Sequence, residues 1–218
     1  MTAYSEYLEQ QAAKQAANLA ALGAILDAGQ RLQLWAVLPD AYASDPDMAH
    51  MATHREVQTP DGGRYSVSLQ NDRRAHASIA SLSTLPNQRG IRMHASDVTP
   101  HGQEAPEASV ALDRDPETSA RSLHKRVIVP GALIAAKMRA EMAKREAMRE
   151  ALLVNVAAMS ALGCTSAVNS PGDGVYYEAK LWHSGLGGTV RVTSSGSVYV
   201  ERITVDLADV ATLIGIAQ

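Results

Sequence analysis

The stretch TPDGGRYSVSLQ, Thr59 to Gln70, decides how this chain is read. Its first five residues combine Pro, Asp and paired Gly, the composition of a tight turn that needs unusual backbone angles. Its remainder alternates, with Tyr65, Val67 and Leu69 on one side and Ser66 and Ser68 on the other, the period of a strand with one buried face. A turn feeding an alternating strand is the start of an antiparallel meander. A second stretch, SPGDGVYYEAKLW (Ser170 to Trp182), repeats the pattern: Pro, a Gly/Asp turn, then a Tyr that opens an alternating run and reaches Leu181 four residues later.

Around the first stretch lie further period-2 segments: Ala77 and Ile79; Ile91, Met93 and Ala95; and Ala108, Val110 and Leu112. The breaks NDRR, LPNQRG and TPHGQEAP are turn and loop compositions. Upstream, residues 5–28 read as a helix with Ser5 as cap and Gly29 as terminator. LQLWAVL, Leu32 to Leu38, is too short for its period to separate helix from buried strand. PDAYASDPDMAHMATH, Pro39 to His54, reads as a polar, Pro-broken connection.

Downstream, DRDPETSARSLHKRV carries an N-cap at Asp115, Pro116 at the first helical position and Glu117 in the first turn. This helix is expected to stop before Pro130. A long helix over 132–162 follows, about 45 Å at 1.5 Å per residue, with Gly163 as terminator. Strands over 175–182, 189–193 and 197–205, then a helix capped by Asp206, complete the chain. The fold class is therefore α+β, with two units of helix, antiparallel three- to four-stranded meander and capped helix, 1–130 and 131–218. Their shared order suggests an internal duplication. That order also occurs in double-stranded-RNA-binding domains, but the Lys-rich start of their last helix is DLADVATL here, and that family is not assigned.

Composition narrows the function classes. Of 218 residues 46% are hydrophobic and 20% charged, which argues for a folded core. A net charge of −3 provides no global attraction to nucleic acid or to an anionic membrane. No apolar run is long enough to span a bilayer, and the N-terminus lacks the pattern of a secretory signal. One cysteine, Cys164, excludes an internal disulfide and fits a reducing compartment; the expected setting is cytoplasmic. Cys164 follows a helix end and reads as a small packed hydrophobe. Phe is absent, so Leu, Ile, Val, Met and Ala must fill the core.

Motifs for chemistry are sparse. His50 and His54 have helical metal-ligand spacing but no third ligand. His76, His94 and His101 fall in or beside strands without a recognisable Ser or Cys triad. SGLGGT, Ser184 to Thr189, precedes a strand rather than a helix and reads as a turn rather than a phosphate cradle. No catalytic residue, metal site or cofactor is expected, and an enzyme of unrecognised type ranks third.

Two features point to binding. Arg121, Lys125, Arg126, Lys137, Arg139, Lys144 and Arg145 make a basic stretch of the kind that phosphate contact requires, although Glu141, Glu146 and Glu150 interleave with it. In the last meander, Val175, Tyr177, Ala179 and Leu181 are expected to face the core. Tyr176, Glu178, Lys180 and Trp182, with Arg191, then face outward. Exposed aromatics among charges suit a protein interface or base stacking. A stripe containing Met138, Met142, Met148 and Leu152 on the long helix offers an adaptable surface for self-association as a homodimer. The leading expectation is a non-catalytic adaptor, regulator or inhibitor engaging another protein, and the alternative is a nucleic-acid-binding module.

Overall fold

A computed structural model describes residues 3–39, 53–71, 73–83, 91–101, 103–167, 169, 174–183 and 187–202. The architecture is α+β with antiparallel sheets. The chain divides into two compact units, Met1–Leu82 with Met93–Ala140, and Ser83–Arg92 with Glu141–Gln218. The division falls within a long helix rather than at Pro130.

In the first unit, α1 (Ala3–Arg31) is built from Ala, Leu and Gln without an interior Pro. It runs through Gly29 instead of ending there. The helix closes in a Schellman arrangement: the Gln33 amide donates to the Gln30 carbonyl (3.0 Å) and the Leu34 amide to the Gly29 carbonyl (2.9 Å). Gln33 takes the left-handed conformation, φ 56°, that such a cap requires. Gly29 has a different role, because the Trp35 indole lies 2.1 Å from the position its Cβ would occupy. Trp35 is buried and its Nε1 donates to the Leu26 carbonyl (3.1 Å). The run LQLWAVL is thus a helix cap, a buried indole and β1 (Ala36–Val37).

Next come β2 (His54–Gln58), β3 (Arg64–Asn71) and β4 (Arg74–Ile79). A two-stranded ribbon follows, β5 (Leu82–Ser83) with β6 (Arg92–Met93), then β7 (Ala108–Ala111). The sheet order is β1-β2-β3-β4-β7, antiparallel throughout. β2 was not legible in the sequence, because among His54, Arg55, Glu56, Val57 and Gln58 only Val57 is apolar, and it alone is buried. PDGG is the β2–β3 turn: the Thr59 amide donates to the Gly63 carbonyl (2.9 Å), with Gly62 at φ 85°. The strand expected over Ile91–Ala95 shrinks to β6. A 3-10 turn, Ala95–Asp97, replaces its end, and the Asp97 carboxylate accepts from the His94 amide (3.0 Å). A side chain that bonds nearby backbone competes with a ladder in this way.

Val57, Tyr65, Val67, Ala75, Ala77, Ala108 and Val110 alternate onto one face of the five-stranded sheet. That face shares a core with Leu22, Ile25 and Leu26 of α1. The helix α2 (Pro116–Leu123) adds Ala120 and Leu123 to the same core. Asp115 caps it as expected, its carboxylate accepting from the Thr118 amide (2.8 Å). The helix does not stop before Pro130, however. A π-helical turn, His124–Ile128, joins it to α3 (Val129–Ala161), leaving Pro130 as the second residue of α3. The wide π turn ends just ahead of it, with the Val129 amide donating to the His124 carbonyl, and Pro130 itself has no N–H to place. Val127 and Ile128 of the π turn are buried in the same core, and the Tyr65 hydroxyl donates to the Ile128 carbonyl (3.1 Å). Burial pushes that phenol up to about 12.

The second unit contains the C-terminal part of α3, then β8 (Cys164–Ala167), β9 (Glu178–His183), β10 (Gly188–Thr193) and β11 (Val198–Arg202). The sheet order is β11-β10-β9-β8, again antiparallel. Gly163, at φ 91°, ends α3 as expected. Cys164 then opens β8, a strand the sequence reading lacked. Ala179, Leu181, Val190 and Val192 form the core with Leu152 and Cys164, and Val156, Met159 and Val175 pack against it. Burial raises the Cys164 thiol above its ordinary value, which keeps it protonated and unreactive. Residues 203–205 of the expected last strand, the helix expected after Asp206, and His50 lie outside the described residues.

With β1 set aside, the two sheets share an order, β2-β3-β4-β7 and β8-β9-β10-β11. The correspondence stops there. Tyr65 is buried while Tyr177 is exposed, and no described helix in the second unit answers to α2. Among the described residues, no helix is long and apolar enough to cross a membrane.

Candidate functional site: the outer face of the second sheet

Strand alternation sends Ala179 and Leu181 of β9 inward and Glu178, Lys180 and Trp182 outward. Cross-strand register then sets Arg191 of β10 beside Lys180 on one side and beside Tyr199 of β11 on the other. The outward charges form a closed set. Lys180 Nζ lies 3.1 Å from Glu201 Oε2, and Arg191 Nη1 donates to Glu178 Oε2 at 3.1 Å. Arg191 Nε approaches Glu201 Oε1 at 3.3 Å, an ion-pair contact without hydrogen-bond alignment. The Arg191 guanidinium also stacks over the Tyr199 ring, 4.8 Å from its centroid. Two cations therefore meet two carboxylates, and the network is neutral.

Two exposed aromatic rings belong to this face, Trp182 at 43% and Tyr199 at 48% exposure, and Tyr177, 52% exposed, lies just ahead of β9. Tyr177 corrects the expectation that it faces the core. β9 begins only at Glu178, so strand alternation does not reach back to residue 177. Tyr176 is half-buried instead, edge-on to Tyr177 (centroids 5.5 Å apart) and beneath the Arg145 guanidinium at 5.2 Å. Glu178 was foreseen on this face, but Tyr199 and Glu201 were missed as site residues. Their signal, a strand with outward Tyr and Glu opposite Arg191, emerges only once register is known.

The remaining expected residues divide between the units. Arg121, Lys125, Arg126, Lys137 and Arg139 belong to the first, Lys144 and Arg145 to the second. Arg121, Lys125, Arg126 and Lys137 are exposed, and Arg126 Nη1 donates to the Ser109 carbonyl (3.3 Å). Arg139 is half-buried beside the Gly62 turn. Glu141 holds Lys144 (3.7 Å) and Arg145 (3.3 Å), the latter the anticipated (i, i+4) pair. Arg145 also donates to the Arg92 carbonyl (3.4 Å). Met138, Met142 and Leu152 are buried within the chain and Met148 is half-buried, so the side chains named for self-association are already largely covered.

Elsewhere the first unit brings together Ser–His pairs that the sequence did not announce. His54 Nδ1 lies 3.0 Å from Ser66 Oγ, His94 Nδ1 2.8 Å from Ser81 Oγ, and His76 Nδ1 3.2 Å from Ser109 Oγ. His76 Nε2 is in turn 3.6 Å from Glu107. The last group resembles a nucleophile triad in membership but not in proton arrangement. The Ser109 hydroxyl donates to Gln70 Oε1 (2.6 Å) and so presents a lone pair, not a proton, to His76. The imidazole therefore acts as a cross-strand tie and not as a base toward Ser109. A cavity of about 480 Å³ in the same unit is lined by Gln30, Gln33, Gln58, Trp35, Thr59 and Pro60 among others, and none of its lining side chains is ionisable. Among the described residues no group of three metal-ligating side chains occurs.

The chain matches no protein family, no curated protein and no solved structure.

Proposed function

We propose that the protein acts by binding another protein, as an adaptor, regulator or inhibitor, through the outer face of the β8–β11 sheet. The supporting observation is that this face combines exposed rings with charges that are already neutralised. Phosphate recognition draws on uncompensated Lys and Arg, whereas Lys180 and Arg191 each have a carboxylate at about 3 Å. Trp182 and Tyr199, with Tyr177 exposed just ahead of β9, offer large contact area at small conformational cost, the chemistry of interface anchors.

The test is co-purification from the native host followed by titration with the recovered partner. W182A with Y177A is expected to weaken that complex by about 2 kcal/mol or more, roughly thirtyfold in Kd. K180A changes it little. A salt-dependent complex with oligonucleotides, lost in K180A, would instead establish nucleic-acid binding and overturn the proposal.

A further inference from the structure

Among the described residues β11 is an edge strand of its sheet. β10 pairs with one edge, and among the described residues no strand pairs with the other. The Thr193 amide donates to the Ser197 carbonyl (2.9 Å), so residue 197 turns its peptide groups toward β10. By the period of two, Tyr199 does the same, while Val198 and Val200 direct their N–H and C=O groups to the open edge. Their side chains lie on the face of Val192 and Val190, their directly opposed partners on β10. Those two are buried, yet Val198 and Val200 stay 48% and 51% exposed. Edge strands are usually blunted by shortness, Pro, charges or a bulge; β11 has a bulge and charges only from Glu201 on, and Val198, Tyr199 and Val200 ahead of it carry neither charge nor Pro.

We infer that the open edge of β11 is a self-association site, where β11 of a second copy pairs antiparallel about a two-fold axis at Tyr199. The commitment to a second copy comes from the symmetry of the strand itself. With the axis at Tyr199, Val198 stands opposite Val200 of the second copy and the reverse, and both are residues whose backbone groups point outward. Four main-chain hydrogen bonds close, as antiparallel pairing requires. Two cross-strand rows then run Val192, Val198, then Val200 and Val190 of the second copy, and extend the buried valine surface across the junction. Glu201 meets Ser197 of the second copy, so no like charges are opposed. Moving the axis to Val200 would set Val198 against Arg202 and Tyr199 against Glu201, and one valine pair would remain. The edge touches the proposed partner face at Tyr199, but it is built from main-chain groups of Val198 and Val200, and the inference does not rest on the proposed partner.

The full-length protein is tested by sedimentation equilibrium together with mild oxidation. The wild type is expected at twice 23.2 kDa. Y199C should form a covalent dimer, because non-hydrogen-bonded antiparallel positions lie about 4.5 Å apart at Cα, within disulfide range. E201C, placed opposite residue 197, should not, and Cys164 is buried and silent. V200P removes an outward N–H without touching a β10 bond and should weaken the dimer at least tenfold, while V200T retains it. A wild type that stays monomeric at all concentrations overturns the inference. So does cross-linking of Y199C no faster than of E201C. Should V200P fail to fold, the cysteine pair decides alone.

Discussion

Replacing Gly29 by alanine should destabilise the first unit, against the ordinary rule that alanine strengthens a helix. In a helix interior, Gly→Ala is worth about 1 kcal/mol in favour of alanine. At Gly29 the new methyl would stand 2.1 Å from two carbons of the Trp35 indole and 2.6 Å from its Nε1. Neither side can yield cheaply, since the other party is a buried ring whose N–H is tied to the Leu26 carbonyl. Displacing a buried aromatic forfeits about 3–5 kcal/mol, and partial accommodation by overpacking about 1–3. Set against the helical gain, a net loss of about 2 kcal/mol is expected. Gly23, in the same helix with nothing within 4 Å of its Cβ position, is the control. There alanine should stabilise by about 1 kcal/mol. Urea denaturation followed by circular dichroism measures both. In a W35A background G29A should become neutral or favourable, a coupling that a double-mutant cycle detects. Equal effects of G23A and G29A would refute the packing argument.

Other perturbations follow from single groups. Q33G should stabilise by about 1 kcal/mol in the same urea assay, because the left-handed cap at φ 56° suits glycine. S119A should also stabilise, by about 1 kcal/mol, since the buried Ser119 hydroxyl has no hydrogen-bond partner; a loss would show that the hydroxyl is satisfied. Y65F removes the buried hydroxyl's bond to the Ile128 carbonyl and should cost about 1 kcal/mol in thermal or urea unfolding. The Thr59 hydroxyl bond, and then the Gly63 amide and Arg139, hold the Asp61 carboxyl below its ordinary value despite the opposing effect of burial. A depressed acid contributes stability above its unfolded value that is lost as pH falls through the folded one. Acid unfolding curves of D61N should therefore lose part of their slope in that range and converge with wild type at the acid end.

The legible parts of the fold were those written in local chemistry. Asp115-Pro116 announces its helix because the cap bond and the missing proline donor are both satisfied within three residues. Tyr65 to Leu69 announces β3 because alternate side chains must part to core and solvent. β2 escaped, since a strand with one buried side chain carries no period of its own; register with β3 holds it in place. The continuation through Pro130 escaped as well. A Pro-X break and a π turn followed by a new helix have the same local sequence, and the buried Val127 and Ile128 select between them. On the site face, alternation placed Lys180, Trp182 and Arg191 outward together. It could not show that Glu201 neutralises both cations, because that pairing joins residues of three strands.

Sequence alone thus determined the strongly periodic elements, the capped helix, the α+β class and which β9 residues turn away from the core. Each of these depends on contacts between neighbours one to four positions apart. Tertiary structure decided which cations are compensated, which glycine is a packing surface and which a cap, and which strand stands at the edge among the described residues. These depend on register and on close approach between distant segments, such as the 2.1 Å that separates the Gly29 Cβ position from Trp35. No local pattern encodes such a distance.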